Sequence, residues 1–162
     1  MAVEMELVGI EMERPPNIPC LVLREAAGAG RVLPIFIGGP EATAIAFALE
    51  EVETPRPMTH DLIKSLLLGL NTGLRKVVVS ELKDDTFYAV IWIEQAGRVV
   101  SVDSRPSDAL ALALRMDCPI YVDEEVLASS KVTSAISDKS TAEEMRKWLE
   151  GLGDDDLGRY KM

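Results

Sequence analysis

Two apolar, alanine-rich segments set the strongest limit on how this chain can fold. They are Ala42–Leu49 (ATAIAFAL) and Ala109–Leu114 (ALALAL). Each follows a Gly- or Pro-containing turn, and each turn follows three runs with strand-like patterning. A helix that is apolar around most of its circumference has to be buried. A shift of 67 residues places Ile35 on Val102, Ile37 on Ser104, Glu41 on Asp108, Ala42 on Ala109, Ala44 on Ala111 and Ile45 on Leu112. This predicts a duplicated β-β-β-α unit, hence an α+β fold with largely antiparallel sheets and buried helices.

Local signals fill in the elements. AVEMELVGIEME alternates, with a phase slip at Leu7–Val8 that predicts a bulge. Arg14–Asn17 is a turn, PCLVLREA a strand, Ala27–Gly30 a loop and RVLPIFIG a strand. Pro40 and Glu41 suit the first turn of the helix that follows. After the connector Glu53–Met58, Thr59 is a suitable N-cap, and Ile63, Leu66, Leu67 and Leu70 form a core-facing stripe. RKVVVSELK, TFYAVIWIEQ and RVVSVDS are strands separated by turns at Asp84–Asp85 and Ala96–Gly97. PSDALALALRM is a helix, Pro119–Asp123 a strand, and EEVLASS a short helical turn. KVTSAISDKS reads as irregular, and Ser140 with Glu143 forms a capping box for a last helix. The expected division is residues 1–130 as the domain and 131–162 as a C-terminal helix and acidic tail.

Composition narrows the function. Hydrophobic residues make up 48% of the 162 but aromatics only 5%, so aliphatic side chains fill the core. No run approaches the roughly 20 apolar residues of a membrane span, and the N-terminus is unlike a signal peptide. Cys20 and Cys118 form no metal-ligand pattern and read as reduced thiols in a cytoplasmic protein. Long apolar strands predict uncovered sheet edges, hence a homo-oligomer. A net charge of −10 argues against coating of nucleic acid by a basic surface, but not against a carboxylate site acting on phosphodiesters.

His60 is the single histidine, which excludes a two-histidine mechanism within one chain. Nucleophile-elbow and P-loop motifs are absent, and Ile37–Ala42 reads as a turn before a helix. Carboxylates remain. In VDSRPSDALALALR, Asp103 and Asp108 flank Arg105 at a helix start. Two acids can hold Mg²⁺ or Mn²⁺ while a cation stabilises a phosphoryl transition state. A capped helix explains the same residues: Ser104 or Ser107 as N-cap, Pro106 in the first turn, Asp108 on the dipole, Arg105 paired with Asp103. In RPMTHDL, His60 and Asp61 follow the cap Thr59, so His60 could serve as base or ligand. Phe87, Tyr88 and Trp92 could stack on bases, although core packing is the simpler reading.

The segments LPIFIGGPEA, PRPMTHDLI, DDTFYAVIWI and VDSRPSDALALALR…CPIYVDEEVL together closely resemble the bifunctional nuclease domain family, over roughly Met5 to Leu127. The resemblance implies an α+β domain associated with DNase and RNase activity, in small cytoplasmic bacterial proteins. Its signature positions fall on Pro57, Thr59, His60, Asp61, Phe87, Tyr88, Asp103, Arg105, Pro106, Ser107 and Asp108. Where the family shows PIWIG, this chain has Phe36.

The expected activity is therefore metal-assisted hydrolysis of RNA or DNA. Asp103 and Asp108, with Glu41, are expected to hold Mg²⁺ or Mn²⁺. Arg105 and Arg56, with Thr59 and Ser107, are expected to contact nucleic acid. His60 and Asp61 are expected to handle protons. A non-enzymatic, oligomeric ligand- or partner-binding module is the alternative.

Overall fold

The structure is a computed structural model; it describes residues 1–13, 17–130 and 133–134. The expected capping box at Ser140 and the C-terminal helix and tail lie outside the described residues.

The elements follow in the order β1 (Ala2–Glu13), β2 (Ile18–Glu25), β3 (Arg31–Phe36), α1 (Gly39–Leu49), α2 (Thr59–Gly69), β4 (Gly73–Lys83), β5 (Thr86–Gln95), β6 (Arg98–Ser104), α3 (Pro106–Met116), β7 (Ile120–Asp123), α4 (Glu124–Ser129) and β8 (Thr133–Ser134). The strands join in one sheet, ordered β6-β5-β4-β7-β1-β2-β3-β8. The pairings are antiparallel except for β4 with β7. The α+β expectation therefore holds, with β7 stitching the two three-stranded meanders into a single mixed sheet. The order β-β-β-α occurs twice, which topology alone does not trace to a duplication. β8 falls in a stretch read from sequence as irregular, because two residues carry no periodicity.

Local chemistry explains most boundaries. The register of β1 against β2 shifts between Leu7 and Gly9, which makes Val8 the bulge that the phase slip predicts. Asp84 and Asp85 have φ of 50° and 57°, and Ala96 and Gly97 have 50° and 76°. Positive φ at both central residues is what a type I′ hairpin turn needs to match strand twist. Asp117 ends α3 in the left-handed region.

The helix caps differ from expectation. Met58 caps α2 and Arg105 caps α3, rather than Thr59 and Ser104 or Ser107. In α2 the Asp61 carboxylate, at the third helical position, reaches back to accept from the N-cap Met58 backbone N–H at 3.0 Å, the half of a capping box that does not need a cap hydroxyl.

The core is built from Leu21, Leu23, Leu33 and Ile35 on one meander, Val77, Val79, Ala89 and Ile91 on the other, and the apolar residues of α1, α3 and α4. Leu110 of α3 is fully buried; truncating such a leucine to alanine costs about 2–5 kcal/mol. The buried Thr43 in α1 is satisfied by donating to the Gly39 carbonyl at 3.0 Å. Glu25, also buried, accepts twice from the Arg31 side chain, which also reaches Glu124 at 2.6 Å. This ties the β2–β3 hairpin to α4.

The stripe predicted for α2 is only half right. Ile63 packs against the core, but Leu66 and Leu70 are 56% and 62% exposed, beside the equally open Leu62 and Leu68. The helix packs chiefly on α3, with a smaller contact to β4, so little of its circumference is covered. Neither Cys20 nor Cys118 is in a disulfide among the described residues. Burial, with a smaller push from Asp117, raises the Cys118 thiol to about 11.

Candidate active site

Helices α1 and α3 pack on each other, and α2 packs on α3. Their N-termini converge, so Glu41, His60 and Asp108 meet although they belong to three helices. A cavity of about 240 Å³ opens there, lined by Pro40, Glu41, Ala44, Met58, Thr59, His60, Arg105 and Asp108.

Arg105 organises this cluster. Its Nε donates to Asp108 Oδ2 at 2.8 Å, its Nη2 to Asp108 Oδ1 at 3.2 Å, and its Nη1 to Glu41 Oε1 at 2.9 Å. Asp108 is thus gripped by a fork, the geometry that suits guanidinium and carboxylate. A guanidinium has five N–H donors. Three are engaged, so two have no partner among the described residues, on a side chain that is 63% exposed. The pairings with Asp108 first and Glu41 second hold the guanidinium even more firmly protonated than usual.

His60 is buried, and its Nε2 lies 2.9 Å from Asp108 Oδ1. Burial pushes the Asp108 carboxyl up, but Arg105 and His60 outweigh it and hold the group below the ordinary range. An ionised Asp108 is an acceptor only, so the contact requires a proton on Nε2; in the neutral tautomer that meets this, Nδ1 carries the lone pair.

Glu41 reaches Arg105 by folding back over the N-cap of α1. A Cβ on Gly38 would collide with Glu41 Oε2. Glycine at 38 is therefore set by the site rather than by backbone angle.

Asp61 faces away from this cluster. Its Oδ1 accepts from Arg115 Nε at 2.7 Å and its Oδ2 from the Met58 N–H. It lines a different cavity with Glu51, Glu53 and Arg115. Burial raises its carboxyl, yet Arg115 and the Met58 N–H hold it below the usual range. Arg115 escaped the sequence reading. Its side chain is only 7% exposed and also donates to the carbonyls of Ala111 and Ala44. One guanidinium thus clasps α1, α2 and α3. The only sequence signal for this was a basic residue in the last turn of an otherwise apolar helix.

Asp103 also stands outside the cluster. It is exposed on β6, opposite Val90, and lines neither cavity that contains Arg105. Arg105, expected to pair with it, turns to Glu41 and Asp108. Arg56 is exposed on the connector, where its carbonyl accepts from Thr54 Oγ1 at 2.7 Å. Thr59 lines the His60 cavity, and the buried Ser107 lines a second cavity that shares Glu41 and Arg105. Of the aromatic strand residues, none is fully buried: Phe87 and Trp92 are half-buried and Tyr88 is exposed. Lys76 Nζ lies 5.6 Å from the Trp92 ring centroid.

Comparison with known proteins matches the bifunctional nuclease domain to residues 21–135. Rv1829, an uncharacterized protein of Mycobacterium tuberculosis strain H37Rv, is 42% identical over 95% of this chain and 97% of its own. Bifunctional nuclease 1 of Oryza sativa subsp. japonica is 27% identical over 65% of this chain. Bifunctional nuclease 1 of Arabidopsis thaliana is 28% identical over 65%. The matched regions make up 33% and 34% of these two plant proteins.

Proposed function

The chain belongs to the bifunctional nuclease domain family, and on that premise we propose that it hydrolyses phosphodiester bonds of RNA or DNA at the Glu41–Arg105–Asp108–His60 cluster. The observation that carries this reading is the position of Arg105: one exposed guanidinium, with two N–H donors unengaged among the described residues, sits against an Asp–His pair in one cavity. A phosphate docks on those donors without displacing either carboxylate. Nδ1 of His60 takes a proton from the attacking water as its oxygen bonds to phosphorus, and Asp108 stabilises the imidazolium that forms. The P–O bond to the leaving nucleoside oxygen breaks, and the imidazolium returns the proton to that oxygen. The guanidinium neutralises charge that builds on the phosphoryl oxygens.

A Mg²⁺ or Mn²⁺ ion does not fit these residues as they stand. Glu41 and Asp108 have suitable oxygen chemistry, but three of their oxygens already accept from Arg105. Asp103 is elsewhere, and among the described residues no group of three His, Cys, Asp or Glu side chains is placed to hold a metal.

The test is cleavage of end-labelled RNA and DNA oligonucleotides by the full chain, with and without EDTA. The reading expects cleavage that survives EDTA and is lost in Asp108→Asn. No cleavage under any condition overturns it, and cleavage that EDTA abolishes overturns its metal-free form.

The three exposed leucines of α2, with Leu70 at its C-cap, favour a second, compatible reading, a homo-oligomer closed over that helix. If the oligomer forms and cleaves nothing, the chain is a partner-binding module. A light-scattering mass equal to 17.7 kDa excludes the oligomer. Among the described residues no helix is long and apolar enough to cross a membrane. Two cysteines not joined by a disulfide favour a reducing compartment such as the cytoplasm.

A further inference from the structure

Beside the His60 cavity lies a second, larger one of about 440 Å³. The two share Glu41 and Arg105 as a common wall. The larger cavity has a different chemistry. Phe36, Phe87 and Pro106 line it, together with Asp85 from the β4–β5 turn. Phe36 is 56% exposed, an open position for a large aromatic in a chain with so few. Phe87 is packed only in part against the core.

We propose that this cavity holds one unpaired nucleobase of the strand whose phosphate docks on Arg105, so the substrate is single-stranded. The inference rests on the nuclease reading for that phosphate. Aromatic side chains stack on bases of any identity, which suits a sequence-tolerant single-strand site. Asp85, which lines only this cavity, repels a phosphate from it, and Asp85 and Glu41 can accept from the amino groups that bases carry. Arg105 is the cation on the shared wall, so a phosphate belongs there and its base beside it. A base paired in a duplex is stacked away and does not reach the cavity without leaving the helix. With one cation at the contact, salt dependence is shallow: the slope of log K against log salt is roughly −0.7 per neutralised phosphate for a single strand.

The experiment uses the full chain and a phosphorothioate-linked octanucleotide carrying 2-aminopurine, so binding is read without cleavage. The proposal expects quenching of the aminopurine by the single strand and weaker binding by the same strand in a duplex. Phe36→Ala is expected to raise Kd roughly 5- to 150-fold, the range of base–aromatic stacking. Phe87→Leu, which keeps the apolar packing, is expected to raise it in the same direction. Circular dichroism checks that both variants fold. Equal affinity for single strand and duplex, or an unchanged Kd in both variants, overturns the subsite. Cleavage of natural oligonucleotides distinguishes the two claims. Cleavage without aminopurine quenching overturns the subsite and leaves the nuclease. Quenching that Phe36→Ala removes, without cleavage, supports the subsite and overturns the nuclease.

Discussion

Arg105 and Glu41 lie 64 residues apart in the chain, and their side chains meet at 2.9 Å, Nη1 donating to Oε1. Arg105 is the N-cap of α3, and Glu41 sits in the first turn of α1. The contact therefore fastens two helix starts, one from each meander. The same guanidinium grips Asp108, which in turn holds His60 of α2. Three helices meet at one cation, and the proposed chemistry depends on that meeting.

Gly38→Ala tests how Glu41 is held. The added Cβ collides with the Glu41 carboxylate, which is the far end of a flexible side chain, so the chain yields there and still folds. Thermal stability is expected to change by no more than about 1 kcal/mol, as for other substitutions that a flexible side chain absorbs. Cleavage is expected to fall by about tenfold or more, because displacing a positioning group costs rate out of proportion to its energy. Unchanged cleavage in the folded variant contradicts a role for Glu41.

Arg115→Met tests the clasp between the helices. It leaves Asp61 without its cation and the Ala44 and Ala111 carbonyls without their donors. Removing one partner from a largely buried pair of this kind costs about 2–4 kcal/mol. The urea midpoint is expected to fall accordingly at an unchanged m-value. A midpoint equal to the parent's contradicts the clasp.

Acid should loosen the same region. The Asp61 and Asp108 carboxyls are depressed in the folded chain, burial opposing the shift and Arg115 and Arg105 overcoming it. A depressed folded value means their stabilisation is complete above the unfolded value, about 3.9 for aspartate, and is lost as pH falls through the lower folded value. Stability is therefore expected to be level from pH 7 to about 5 with respect to these two groups, and to fall below about 4. The Asp61→Asn/Asp108→Asn double variant should fall less steeply over that acid range. Equal slopes contradict the assignment.

How much of this was legible in the sequence depends on how far each signal reaches. The bulge at Val8 and the two hairpin turns were readable because alternation and turn chemistry are local. The α2 stripe was misjudged at Leu66 and Leu70 because periodicity reveals an apolar face without saying whether a partner covers it. Ser104 and Ser107 look like caps by residue type, yet backbone geometry put Arg105 in that place. Arg105 and Asp108 were found as a pair of charged residues at a helix start, but the partner of Arg105 was assigned to the nearby Asp103. Its partners are Asp108 in the same helical turn and Glu41 on another helix. The 67-residue shift sets Glu41 and Asp108 at equivalent helix starts, but spacing does not show that Arg105 bridges them. Asp61 was read as a proton carrier because it adjoins His60 in sequence. In a helix adjacent residues point about 100° apart, and Asp61 faces Arg115 instead.

The central claim is that His60, held by Asp108, moves the proton in phosphodiester hydrolysis. Single-turnover cleavage of a labelled single-stranded oligonucleotide by parent and His60→Gln chains tests it most directly. Glutamine keeps a hydrogen-bonding group for Asp108 but cannot exchange a proton near neutral pH. The account predicts a rate loss of about 100-fold or more in a variant that folds like the parent. Equal rates in the two chains would contradict it.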